Sequence, residues 1–293
     1  MFRSSVFLQS SQIHQYAIKS GLKRIKNVKN IIAVGSGKGG VGKSTVCLNL
    51  ATSLQQLGAK VGILDADIYG PSLPMLIGVD EKDMPKPTNP LTPIKKYDLA
   101  TMSLGYLVGQ KDAAIWRGPM ASGALMQLLE QTGWPELDYL FIDLPPGTGD
   151  IQLTLAQKIP VIGALVVSTP QKLAAKIAGK SIAMFKKVNI PVIGAIENMG
   201  PYLCGNCGEK QNIFGNSGNN SANTLAKDYN VELLGTIPLD YTLRESSDNG
   251  IPAVLSEDNL AIKNTYQEIA ASFIAELNKL HSDDKIKLKE IRS

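Results

Sequence analysis

The sequence predicts an α/β fold, a mostly parallel sheet with helices on both faces. Three observations predict it. Short apolar runs alternate with longer stretches of helical spacing along most of the chain. The short runs are rich in Val, Ile and Leu without polar alternation, as expected of strands covered on both faces. A length of 293 residues with 44% hydrophobic content can bury one substantial core, at the upper end of what a single domain holds.

The strands expected from these runs are Asn30 to Val34, Val61 to Asp65, Tyr139 to Asp143, Ala164 to Ser168, Val192 to Glu197 and Glu232 to Ile237. Helical spacing follows most of them, at Lys43 to Leu57, Ser122 to Gln131, Leu173 to Val188, Ala222 to Tyr229 and Leu260 to Leu280. In the last, Ile262, Tyr266, Ile269, Phe273 and Leu277 recur at three- and four-residue steps and form one apolar stripe for the sheet. Met84 to Pro93 carries four prolines and no helical period, so it reads as a surface loop. The expected organisation is a basic extension over 1–29, one domain over 30–280 and a charged, frayed tail over 281–293.

Composition removes several classes. The net charge of +4 is too small a bias to argue for nucleic acid, although the first thirty residues contain no Asp or Glu. No apolar run approaches the roughly 18 residues that span a bilayer, and Met1 to Gln9 lacks the pattern of a secretory signal. The acid-free start, with Arg3, Lys19, Lys23, Arg24, Lys26 and Lys29, fits a solvated basic arm and, more loosely, a mitochondrial transit peptide. Three cysteines argue for a reducing compartment, the cytoplasm by default and the mitochondrial matrix as the alternative.

Gly37 to Ser44 fits G-x-x-x-x-G-K-[ST] between a buried strand and a helical pattern, the context in which that motif cradles phosphate. Gly37, Gly39, Gly40 and Gly42 let backbone N–H groups of the run through Val41 point inward. Lys43 supplies a charge for the β- and γ-phosphates of ATP, Ser44 a hydroxyl for Mg2+, and the helix that continues through Thr45 adds its dipole. Lys38 is a second lysine inside the loop, not needed for the nucleotide of its own chain.

Asp65, Asp67 and Asp143 follow apolar strands and therefore fall at the ligand edge of a parallel sheet. Asp143 ends a hydrophobic strand in the Walker B manner and is the candidate holder of the Mg2+ hydration shell. Gly147, in the loop after it, is placed to sense the γ-phosphate through its N–H. For Asp65 and Asp67 a turn-capping role stays open beside a functional one.

Cys204-Gly205-Asn206-Cys207-Gly208 is a short knuckle in a loop rather than at a helix start, which favours metal binding over thiol redox chemistry. The other candidate ligands are few: His14 and His281 lie in the terminal segments, and Cys47 sits in the helix after the phosphate loop as a small buried hydrophobe. Zinc or an iron–sulfur cluster wants four ligands, and one chain offers two. A homodimer sharing one centre through Cys204 and Cys207 of each copy supplies four. The residues alone do not choose between iron–sulfur and zinc.

Together these motifs resemble the Mrp (ApbC) branch of the MinD-like P-loop ATPases over roughly Asn30 to Val254. The resemblance is carried by Gly35 through Thr45, Asp65 through Ser72, Trp116 through Met120, Asp143 through Asp150, Ser168 through Gln171, Glu197-Asn198-Met199, the cysteine pair, Ile213-Phe214-Gly215 and Ile237 through Asp240. It implies an ATPase that holds a [4Fe-4S] cluster between two subunits and hands it to apo-proteins. It also implies that Lys38 reaches a partner's nucleotide, that Asp67 orients the attacking water with Asp65 supporting the metal site, and that Asn198 and Pro238 contact adenine. Bacterial members of the family often carry a small domain ahead of the phosphate loop, which the roughly thirty residues before the first expected strand are not expected to supply. The chain also has Lys172 where an acidic residue usually follows Pro170-Gln171. The mitochondrial relative serving respiratory complex I fits the same pattern, while Trp134 through Asp138 looks more bacterial. The alternative is a MinD/ParA-like positioning ATPase without a cluster. Such proteins do not need the cysteine pair, and the tail residues Ile286, Leu288 and Ile291 are too sparse for stable membrane binding.

Overall fold

A computed structural model describes residues 22–80, 84, 88–107, 118–215, 222–257 and 259–291. His14, residues 1–21 of the basic start and Trp116-Arg117 lie outside them, as do the side chains of residues 281–291.

An eight-stranded sheet runs in the order β10-β7-β6-β1-β5-β2-β4-β3. Its strands are β1 (Val28–Ser36), β2 (Val61–Asp65), β3 (Ile94–Lys96), β4 (Leu99–Ser103), β5 (Leu137–Asp143), β6 (Val161–Ser168), β7 (Val192–Gly200) and β10 (Leu233–Pro238). All pairs are parallel except β3 with β4, so the expected fold class holds. The chain leaves β1 at the centre, with β5 on one side and β6 on the other, and the cleft at that point is where parallel sheets bind ligands.

The helices are α1 (Lys43–Gln56), α2 (Leu73–Leu76), α3 (Gly118–Gln131), α4 (Asp150–Lys158), α5 (Lys172–Lys187), α6 (Ala222–Tyr229), α7 (Tyr241–Asp248) and α8 (Leu260–Ile291). The predicted stripe of α8 is fully buried, and the Phe273 ring meets Tyr139 and Phe141 of β5 at 5.9 and 5.8 Å between centroids. Phe141 is the register partner of Ile32, so α8 covers the face that Ile32 presents. Gly35, an odd number of residues further along β1, presents the opposite face, and there the Phe185 ring of α5 fills the space a Cβ would occupy. The two helices thus seal the two faces.

Four predicted strands are longer than expected by two to four residues, and β4, β3, α2, α4 and α7 come in addition. All five residues of β4 are buried, but Leu-Ala-Thr-Met-Ser has no β-branched run to announce a strand. Its polar members are satisfied, Thr101 donating to Ile94 O at 3.0 Å and Ser103 to Asp65 Oδ2 at 3.1 Å. The tail is a correction: α8 continues without a break to Ile291, because the charged residues 282–291 retain helical propensity once the buried half is anchored. A last two-stranded ribbon, β8 (Tyr202–Leu203) with β9 (Lys210–Gln211), carries the cysteine knuckle.

Candidate functional site

The phosphate loop connects the end of β1 to α1 and needs glycine in two ways. Gly40 and Gly42 have φ of +75° and +79°, in the left-handed region that side chains disfavour. Gly37 has no room instead, since a Cβ there would lie 2.4 Å from the backbone nitrogen of Ala178 in α5. Val41 is buried, Ser44 and Thr45 are half-buried, and Gly39 and Gly40 face solvent.

Lys43 is 6% exposed, and its Nζ lies 2.5 Å from Asp143 Oδ1 and 3.3 Å from Ser44 Oγ. Burial works against the ammonium, but the contact with Asp143 and the charge of Asp65 outweigh it and hold its pKa above the ordinary lysine value. A buried charge needs such a partner, and removing either member would strand the other.

Asp65 and Asp143 are register partners at the ends of β2 and β5. Burial, then the neighbouring Asp143, push the Asp65 carboxyl up to about 7, opposed by backbone N–H donors. Its oxygens hold the chain that follows: Oδ1 accepts from Asp67 N–H and Oδ2 from Leu73 N–H and the Ser103 hydroxyl, each at 3.1 Å. Cys47 stands behind the loop, fully buried, with its thiol pushed well above the ordinary range by burial first. Asp67, at the start of the turn anchored by Asp65, is half-buried, and its pKa is raised by burial first and by Asp143, with Lys43 opposing.

The loop over 144–149 faces Asp67 across a groove of about 540 Å³ lined by Asp67, Tyr69, Pro146, Gly149, Asp150 and Gln152 among others. Gly147 adopts φ +94°, and its N–H, the candidate γ-phosphate sensor, donates to Ser36 O at 2.9 Å. Gln152, 3% exposed, accepts from Gly149 N–H at 2.8 Å and donates to Pro145 O at 3.0 Å and Gly147 O at 3.2 Å. Sequence reasoning did not single out Gln152; its signal is the capping spacing from Gly149 to the third helical residue.

Lys38 is half-buried and donates to Gln171 Oε1 of its own chain at 2.8 Å. Asn198 is buried and donates from Nδ2 to Val41 O at 2.9 Å. Pro238 ends β10 beside Gly200 of β7 and is half-buried.

The knuckle lies apart from these groups, at the end of β7's extension. Cys204 N–H donates to Glu209 O and Gly208 N–H to Cys204 O, both at 2.9 Å, and Gly208 takes φ +71° to close the turn. The N–H groups of Cys207 and Asn206 and the Cys207 thiol converge on the Cys204 sulfur and lower its pKa. Leu203 and Ile213 beside it are 63% and 54% exposed. Among the described residues no third Cys, His, Asp or Glu joins the pair to complete a metal-binding group.

A glycine loop closing on a helix N-terminus, a buried lysine paired with the aspartate ending the neighbouring strand, and a parallel sheet with β1 at its switch point define a P-loop NTPase. The same likeness appears across whole chains. This chain belongs to the ParA family described as NUBPL iron-transfer P-loop NTPase, whose profile matches residues 27–274. It is 53% identical over 266 residues to the iron-sulfur cluster carrier protein of Salmonella typhimurium, covering 87% of this chain and 70% of that one. Among solved structures it resembles the nucleotide-binding protein of Archaeoglobus fulgidus in complex with ADP, at 40% identity and a TM-score of 0.67, covering 79% and 90% of the two chains. The cell division ATPase MinD of Pyrococcus furiosus, at 23% identity and a TM-score of 0.59 over 86% and 99%, shares the fold.

Proposed function

We propose that this chain is an ATP-hydrolysing carrier that holds a [4Fe-4S] cluster between two copies of itself and passes it to apo-proteins. The observation that carries the reading is a complete P-loop site on the same chain as a preorganised thiol pair with only half the ligands a cluster needs. Two copies related by a two-fold axis bring four thiolates together, and exposed Leu203 and Ile213 offer apolar surface for that meeting. The 53% identity to a named cluster carrier supports the cargo, whereas the likeness to MinD extends to the fold alone.

In this reading Lys43 exchanges Asp143 for the β- and γ-phosphates, and the backbone N–H groups of residues 37–45 hold the remaining oxygens. Ser44 and Asp143 are hard oxygen donors that meet at the same ammonium, a set that fits Mg2+. When bound, Mg2+ neutralises phosphate charge as it develops. Asp67 orients the attacking water, and its raised pKa suits it to accept a proton. Asp65 supports the metal site indirectly, by fixing the turn that presents Asp67. Lys38, released from Gln171, stabilises the phosphoryl group on the partner's nucleotide, and Asn198 and Pro238 border the adenine. Three free cysteines fit a reducing compartment, the cytoplasm first and the mitochondrial matrix second.

Anaerobic incubation with ferrous iron and sulfide tests the cargo. The expected result is a visible chromophore in the wild type and in Lys43→Ala, none in Cys204→Ala, and ATP hydrolysis lost in Lys43→Ala. A chromophore that persists in Cys204→Ala, or tight zinc binding with no chromophore, overturns the reading.

A further inference from the structure

The ribbon that carries the two thiols is fastened to the phosphate loop at its entering stem, and its leaving stem passes close to the segment that holds Lys38. On the entering side, the C-terminal end of strand β7 presents Asn198, 4% exposed, whose amide donates to Val41 O at 2.9 Å. A Cβ on Gly42 would fall 2.2 Å from that amide nitrogen, so the peptide between Val41 and Gly42 cannot move toward β7 without displacing Asn198. Cys204 follows six positions after Asn198, and the connection has little slack. Met199 is held at φ +57°, an uncommon conformation for a residue with a side chain. A Cβ on Gly200 would lie 2.4 Å from Thr236 Cγ2 of β10, and Pro201 has its φ fixed by its ring.

On the leaving side, the turn over 212–215 comes near the loop that follows β6, where a Cβ on Gly215 would lie 3.6 Å from Pro170 O. The next residue, Gln171, is the one that holds Lys38. The entering stem therefore grips the phosphate loop directly through Asn198, and the leaving stem passes beside the residue that precedes Gln171, the partner of Lys38.

The Val41–Gly42 peptide lies where the loop's N–H groups must turn toward phosphate, between two glycines at positive φ. Any reorientation of that peptide is felt directly by the Asn198 amide. We infer that Asn198 couples the phosphate loop to the cysteine ribbon within a single chain, so that nucleotide occupancy changes the exposure and reactivity of Cys204 and Cys207. The coupling gives the proposed carrier its link between nucleotide and cargo, and it rests on that reading for its purpose. It differs from a rearrangement between subunits because one chain contains the whole path. Such a link is a coupling free energy between two sites and acts in both directions.

The test uses metal-free full-length protein with reduced thiols, so its outcome is independent of whether iron and sulfide ever bind. Alkylation of Cys204 and Cys207 by iodoacetamide is followed by mass spectrometry with and without saturating Mg·AMP-PNP, saturation being set from a nucleotide titration of each variant. In the wild type the rate at Cys204 changes by about fivefold or more on saturation. In Asn198→Ala the change collapses toward unity. Because Asn198 also borders the nucleotide in the proposed site, a second variant with two glycines inserted between Gly200 and Pro201 leaves the loop contact intact and slackens only the connection. It binds nucleotide as the wild type does and loses the response. A wild-type rate indifferent to nucleotide, or a full response in the insertion variant, overturns the coupling.

Discussion

Gln152 meets three backbone partners from a position with almost no solvent access, and together they pin the loop that follows Asp143. Gln152→Glu keeps the shape and the acceptor for Gly149 N–H but turns an oxygen toward the carbonyls of Pro145 and Gly147. Steady-state ATPase kinetics should show kcat reduced by about tenfold or more with KM shifted far less, because the loop would be displaced where the transition state forms. The Glu variant should recover partly as pH falls, since a protonated carboxyl can donate to one carbonyl, while Gln152→Ala should stay impaired at every pH. A flat pH profile for both would leave Gln152 with a packing role only. At this scale the sequence discloses local partnerships and hides distant ones. The spacing from Gly149 to Gln152 is visible along the chain, as is the phosphate motif. The hydrogen bond from Asn198 to Val41 joins residues 157 positions apart, and nothing in either neighbourhood announces it.

The packing of α8 on β5 sets the energetics of the elements. Phe273 is fully buried between Tyr139 and Phe141, and truncation there leaves a cavity that the flanking strand cannot close. Phe273→Ala should cost about 3–5 kcal/mol in chemical denaturation, with nucleotide affinity at low denaturant little changed because the site lies at the strand ends. Elements with a strong apolar period, such as α8 and the central strands, were legible because burial and pattern coincide. Two-residue strands such as β8 and β9 are too short for any period and exist through the turn that the cysteines form. In α4 only Ile151, Gln152 and Leu155 are buried, so its apolar face is too narrow to stand out.

For the whole molecule, the proposed shared cluster makes association depend on cargo. Light scattering under anaerobic conditions should find metal-free chain and Cys204→Ala predominantly monomeric, and iron- and sulfide-loaded wild type dimeric, with a chelator reversing the shift. A loaded monomer with a full complement of iron and sulfide would remove the shared site. The proposed dimer rests on counting ligands in the sequence, and among the described residues the fold adds no further donor to the knuckle. What counting could not give is the placement of that knuckle, two short stems away from the phosphate loop, because that depends on how β7, β6 and β1 lie side by side.

The contact between Lys43 and Asp143 pairs these two opposite charges before any guest arrives. A guest bringing negative charge alone would capture the ammonium and abandon a desolvated carboxylate at the end of β5. One that brings opposite charges together can satisfy both residues in a single exchange. In the proposed site the pair would thus act as a selectivity filter as well as a support, favouring a metal-complexed nucleotide over the bare anion before either reaches the chemistry.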